Sequence, residues 1–245
     1  MSDVRGEPTE VRGTLGTVRN AVRLLDLLAD GSAYQQLTDL AERSGLSVPT
    51  AHRLLRSLVL ADLVEQDPRS SRYSLGPEVT RLSQRYLGRL PILGALSPYL
   101  VSLRDTLQTT IHVAVLVRES VVYVDRIDAS DGGPYRDSHR VTDALSTAAG
   151  RMLAARAGDE VWKQCVASHA GLVDEDPDRL RAEWSRAAHL TSGDEIAVVV
   201  HDAGETPVAA LSATVPPGAD AARVEVIATH LSRAASAAGR TLGHG

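Results

Sequence analysis

The sequence predicts an α+β protein in two parts, a small N-terminal helical module closed by a short hairpin and a larger C-terminal domain that mixes strands and helices. Three observations predict this. Apolar residues recur at helical spacing between residues 18 and 58. Two short alternating segments then flank the turn Asp67-Pro68-Arg69-Ser70-Ser71. After residue 109, strand-like and helix-like segments follow one another without regular alternation, which indicates an antiparallel sheet rather than a parallel one.

Residues 1–13 mix Ser, Asp, Glu, Gly, Pro and Thr without apolar periodicity, so a mobile tail is expected. Val18, Ala21, Val22, Leu24, Leu25, Leu27 and Leu28 then mark an apolar helix. Leu37, Leu40 and Ala41 share one side of a short second helix, which Gly45 stops. A third helix runs from about Ser47 to Ala61, with Ser47 as its cap and Pro49 in the first turn, where a missing N–H breaks no bond. Val48, Ala51, Leu54, Leu55 and Leu58 occupy one arc of it. Pro49, Thr50, His52, Arg53, Arg56 and Ser57 occupy the other, and no acid follows until Asp62.

Such an acid-free face carrying arginines suits a phosphate-bearing partner; on this helix alone, an ordinary solvated face is equally open. Leu63-Val64-Glu65-Gln66 and Arg72-Tyr73-Ser74-Leu75 read as a hairpin, which makes residues 14–76 a winged helix-turn-helix with Arg69 and Arg72 on the wing. Gly76-Pro77 ends the wing and starts a linker helix over residues 77–90. Residues 91–245 form the second domain, which opens with a helix from Pro91 to about Leu107.

Residues 110–117 and 121–127 then read as paired strands around Arg118-Glu119-Ser120, followed by a polar loop with Gly132, Gly133 and Pro134. Leu145 to Ala154 enters a helix, and further helices are expected at 158–166 and 177–188. Residues 196–201 and 207–214 form a second hairpin, and a last helix covers about 219–242.

At 43% hydrophobic content the chain can bury an ordinary core, which must be mainly aliphatic because Phe is absent and aromatics are 3%. The net charge of −5 hides an asymmetry. Residues 12–89 hold 11 arginines against 8 acids, whereas residues 90–245 hold 14 basic and 20 acidic side chains. Only the first part is suited by charge to nucleic acid. Cys165 is the single cysteine, so no internal disulfide forms and a passive buried thiol is expected. No apolar run approaches a membrane span and no signal pattern opens the chain, so no membrane partner and a cytoplasmic location are expected.

Catalytic and metal motifs are missing: there is no Gly-x-Ser-x-Gly, no phosphate-cradling glycine loop and no His-Glu-x-x-His. No cofactor, metal or catalytic residue is therefore assigned. His112 and His201 lie on expected strands as structural histidines, and Asp125 and Asp128 lack a catalytic dyad's geometry.

The run Ala21–Leu28, the run from Leu37 through Asp39, Glu42, Gly45 and Pro49 to Leu55, and Arg72-Tyr73-Ser74-Leu75-Gly76 together resemble the IclR (isocitrate lyase regulator) family of bacterial transcription factors. The resemblance covers roughly Thr17–Leu242, is specific in the first domain and loosens beyond Asp128. It implies a GAF-like effector-binding C-terminal domain, a double-stranded DNA operator and a small-molecule effector as partners, and self-association as a homodimer or dimer of dimers. A dimer is also what one helix-turn-helix needs to read a two-part site. In this reading Thr50, His52 and Arg53 meet base edges, with Ser47 and Pro49 beside them, while Arg56, Ser57, Arg69 and Arg72 hold phosphates.

For the effector, Leu145, Ser146, Thr147 and Gly150 match the family's loop-and-helix motif, and free N–H groups at a helix start there would accept an anion. Ser212 and Thr214 match a strand whose alternate hydroxyls point at the ligand, and Glu195 adds a further pocket residue beside Asp194. Ser146 or Thr147 is equally an N-cap, Ser212 with Thr214 equally an exposed pair, and Asp194 with Glu195 equally a solvated turn. The sequence departs from the family pattern over 166–193, and the acidic pair 194–195 would repel a simple carboxylate. Two other readings stay open: an enzyme domain fused to a winged protein-docking module, and a regulator without a ligand.

Overall fold

In the computed structural model, which describes residues 11–129, 140–169, 171 and 175–242, helices α1 (Val11–Asp30), α2 (Leu37–Ser44) and α3 (Val48–Leu60) share one small core. Leu24, Leu28, Leu40, Leu54, Leu55 and Leu58 meet there. Each fully buried leucine contributes ~1.5–3 kcal/mol, which stabilises a module this small. Gly45 ends α2 at φ +67°, a left-handed position that costs glycine least. Strands β1 (Val64–Gln66) and β2 (Tyr73–Leu75) pair antiparallel and add Val64 and Tyr73 to the same core.

Asp67 shapes the turn between them, because its carboxylate accepts from the N–H groups of Arg69 (3.2 Å) and Ser70 (3.0 Å) and from the Ser70 hydroxyl. Those donors hold its pKa below the ordinary carboxylate value. Gln35 ties the module together. Its backbone exchanges hydrogen bonds with Tyr73, at 2.9 and 2.8 Å, while its side chain donates to Leu27 O and accepts from Arg43.

The chain divides into two compact units after Gly88, the first ending with α4 (Pro77–Leu87). The second begins with α5 (Pro91–Leu107) and holds one antiparallel sheet in the order β5-β4-β3-β8-β7-β6. Its strands are β3 (Ile111–Val117), β4 (Ser120–Ile127), β5 (Val141–Asp143), β6 (Leu190–Ser192), β7 (Glu195–His201) and β8 (Pro207–Thr214). Helices α5 and α9 (Ala221–Leu242) pack on each other and on the sheet. Helix α6 (Ala148–Arg156) covers Ala114, Tyr123, Ala197, Val199 and Ala210. Beyond α6, α7 (Asp159–Ser168) and α8 (Pro177–Arg186) bring Trp162 and Trp184 together edge to face at 6.1 Å, with Cys165 in the same cluster. Burial first, then Asp143 and Glu119, push the Cys165 thiol up to about 11, which makes it unreactive.

Several expectations change. The tail expected over 1–13 gives way to helix at Val11, and residues 1–10 lie outside the described residues, as does the loop with Gly132, Gly133 and Pro134. Val18 and Val48 are 65% and 44% exposed rather than in the core; Val48 is the first residue of α3, whereas Val18 lies within α1. Ser47 holds the N-cap position of α3, but its hydroxyl shares a hydrogen bond with Thr50 Oγ1 (2.9 Å) and makes no capping bond. The edge strands β5 and β6 were not expected, and β6 lies inside the atypical segment 166–193. Among the described residues no helix is long and apolar enough to cross a membrane, and no group of three ligating side chains is placed for a metal.

Candidate functional site

Two sites follow from this architecture, one in each unit. In the first, the α3 arc opposite Leu54 and Leu55 is solvent-facing: Ser47, Pro49, His52, Arg53, Arg56 and Ser57 are exposed and Thr50 is half-buried. Arg69 and Arg72 are exposed on the wing. Among the described residues, none of these four arginines makes an ion pair, unlike Arg81, which is held by Glu78. An arginine without a carboxylate partner keeps its planar fork available for phosphate oxygens or a guanine edge. Behind the wing, Glu65 accepts from Tyr34 (3.2 Å) and Ser74 (2.9 Å), a brace with no periodic signal in the sequence.

The second site is a cavity of about 360 Å³ on the α6 face of the sheet. Thr110, His112, Tyr123 and Thr214 line it with Arg126, Arg140, Asp194 and Glu195. Of the seven residues expected at an effector pocket, Glu195 and Thr214 line this cavity. Ser212, on the same face as Thr214, is fully buried and its Oγ has no hydrogen-bond partner; Nδ1 of His112, directly across the β3–β8 ladder, has none either.

The other four do not line it, and for Thr147 the capping alternative is the one observed. Leu145 is buried beside Trp162, Ser146 is exposed with its hydroxyl on Asp143 O (2.7 Å), and Thr147 is the N-cap of α6. Gly150 is there for close packing, since a Cβ on it would lie 2.0 Å from Ala144 O. Nor are the first-turn donors of α6 left for a ligand. Gly150 N–H donates to Thr147 Oγ1 (3.1 Å) and Ala149 N–H donates to Glu195 Oε2 (3.2 Å). Glu195 thus occupies the place where the sequence reading put an incoming anion, and the Tyr123 hydroxyl donates to its other oxygen at 2.8 Å.

Burial, then Glu195, raise the Tyr123 hydroxyl well above its ordinary value, so it stays a donor. Burial, then Arg126 and Arg140, lower His112 to about 4, so it is neutral at pH 7. The Arg140 guanidinium stands 5.4 Å over the Tyr123 ring and Arg126 pairs with Asp128 at 2.6 Å. The sequence reading missed Tyr123 and Arg140 as lining residues, because cross-strand registry and a return from the segment before β5 bring them in, neither of which leaves a local pattern.

Comparison with known proteins bears on both sites. Residues 17–68 match the IclR helix-turn-helix domain. The glycerol operon regulatory protein of Streptomyces coelicolor is 32% identical over 145 residues, covering 57% of this chain and 55% of that protein. The chain thus spans about half the length of the curated relatives it matches. An IclR transcriptional regulator from Alicyclobacillus acidocaldarius has a similar structure, with a TM-score of 0.71 at 23% identity over 91% of this chain and 97% of that one. An IclR homologue from Microbacterium hydrocarbonoxydans, solved with 4-hydroxybenzoate, gives 0.66 at 22% identity over 92% and 99%. At these identities the structural likeness shows the fold.

Proposed function

This chain belongs to the IclR family, and from that premise we propose that it is a sequence-specific, DNA-binding transcriptional regulator governed by a small molecule in its C-terminal unit. The observation that carries the reading is the α3 face with its wing, where Arg53, Arg56, Arg69 and Arg72 are exposed without carboxylate partners among the described residues. Helix α3 enters the major groove; Thr50, His52 and Arg53 read base edges, and Arg56, Ser57, Arg69 and Arg72 bind phosphates. Residues 14–76 are the DNA-binding domain, 77–90 the link, and 91–245 the effector and self-association domain. Two copies present two modules to a two-part operator.

The relatives described above are named as regulators, which disfavours an enzyme fused to a docking module. The cavity over β3, β8 and β7 takes the effector; that a homologue of similar fold was solved with a small molecule supports the existence of an effector. The effector acts only through different affinities for two arrangements of the paired modules. Selecting genomic fragments that the purified protein retains, and measuring how a bound small molecule changes that affinity, tests the reading. Recovery of a shared two-part sequence is expected; retention of random fragments alone rejects it.

A further inference from the structure

Glu195 is the first residue of β7, and its backbone is fixed from both sides. It pairs with Ser192 of β6 across the turn Gly193-Asp194, and with Thr214 of β8. Gly193 takes the left-handed φ of +59° that so tight a turn favours. Side chains alternate along a strand, so Glu195 shares a face with Ala197 and Val199, which pack against α6. Its carboxylate is thereby delivered to the first turn of α6. Two donors converge on it there, Ala149 N–H at 3.2 Å on one oxygen and the Tyr123 hydroxyl at 2.8 Å on the other. Among the described residues Glu195 makes no ion pair. Its charge is met instead by neutral donors and the N-terminal end of the helix dipole, which is how a helix start holds a free anion.

Resting on the reading of this cavity as the effector site, we propose that Glu195 is a specificity-determining residue of it: a tethered carboxylate that fills the anion seat at the start of α6 and denies that seat to a free acid. Two strand ladders hold Glu195 beside the seat, so it outcompetes a dissolved acid by effective concentration. A second carboxylate at the same donors would meet the first at contact distance, where like charges repel. The next donor of the helix, Gly150 N–H, is already taken by Thr147 Oγ1 at 3.1 Å. The effector is left with the remainder of the cavity, from Thr110 and His112 toward Arg126 and Arg140.

Glu195→Ala tests this, because it keeps Cβ and removes a methylene and a carboxylate, the heavy atoms of acetate. In the full chain, loss of the two charge-assisted hydrogen bonds is expected to lower the tryptophan-monitored melting transition by about 4–8 °C. Acetate at ~0.1 M is expected to recover about half of that fall by mass action, and acetamide, alike in shape but uncharged, to recover little. The parent, whose seat is full, should shift no more in acetate than in chloride of equal ionic strength. A variant that responds to acetate no more than the parent does, or equally to acetamide, overturns the tethered seat and leaves the cavity reading standing. Should Glu195→Ala not fold, Glu195→Gln keeps the seat filled without the charge: a lowered transition with no response to acetate is expected, and a transition equal to the parent's overturns the proposal. Operator DNA separates the seat from the cavity reading. Acetate is expected to change the operator affinity of Glu195→Ala by roughly fivefold or more. Acetate that restores stability while operator affinity stays unmoved upholds the seat and overturns this cavity as the effector site.

Discussion

Gly150→Ala sets two opposed effects against each other. Within a helix, alanine is favoured over glycine by about 1 kcal/mol, so propensity alone predicts stabilisation. At this position the new Cβ would lie 2.0 Å from Ala144 O and 2.7 Å from Ala144 Cα, both backbone atoms, against an ordinary contact of 3.4 Å or more. Relief requires the start of α6 to move more than an ångström from the 3-10 turn at Ala144–Ser146. That turn is fixed to α6 by Arg151 Nε donating to Leu145 O at 2.7 Å, and Ala144 and Leu145 are fully buried.

Overpacking costs ~1–3 kcal/mol and more where backbone must shift, so the clash wins and a net loss of roughly 2–3 kcal/mol is expected. For a unit of this size that corresponds to a fall of about 4–10 °C in melting temperature. Both tryptophans, Trp162 and Trp184, lie in the second unit, so their fluorescence during urea unfolding reports on that unit alone. Because Ala149 N–H holds Glu195, the variant also disturbs the cavity. An unfolding midpoint equal to or above that of the parent would refute the reasoning.

Other expectations follow from the same contacts. Arg53→Ala costs about 1–3 kcal/mol on the selected operator and relaxes base preference, whereas Arg72→Ala weakens all duplexes alike; gel-shift affinities on operator and scrambled DNA check both. Gln35→Leu removes the amide bonds to Leu27 O and Arg43, at a cost of about 2–3 kcal/mol, seen as faster hydrogen exchange in α1 and β2 with the second unit unaffected. For His112, the folded pKa of about 4 lies below the ordinary 6.5, so the unfolded chain binds more protons between these values and stability falls as pH drops through that window. The loss approaches about 3 kcal/mol near pH 4, and His112→Asn should flatten that part of the profile in tryptophan-monitored unfolding. Parallel profiles would contradict the assignment.

The winged module was legible because its signals are local. Gly45, Pro49 and the spacing of Ala51, Leu54, Leu55 and Leu58 act within one or two turns, and the exposed arginine face is what remains once that apolar arc is buried. Val48, the first residue of α3, misled because periodicity assigns a face but not where along a helix the buried stretch begins. In the second unit the long hairpins were legible from alternation, while β5 and β6 are three-residue edge strands too short to show it. The cavity was only half legible. Glu195 meets Ala149 and Tyr123 across 46 and 72 positions of chain, so its seat on α6 depends on sheet order. A helix start read as an anion site proved to be filled from within, which sequence spacing alone does not reveal.

The measurement closest to the central claim is binding of the protein to a selected operator duplex and to its scrambled counterpart as salt is raised. With Arg56, Arg69 and Arg72 each neutralising a phosphate in two paired modules, the logarithm of affinity should fall against the logarithm of salt with a slope of roughly −5. The operator should remain at least roughly a thousandfold the tighter of the two. Equal affinity for both duplexes, or a flat response to salt, would contradict the account.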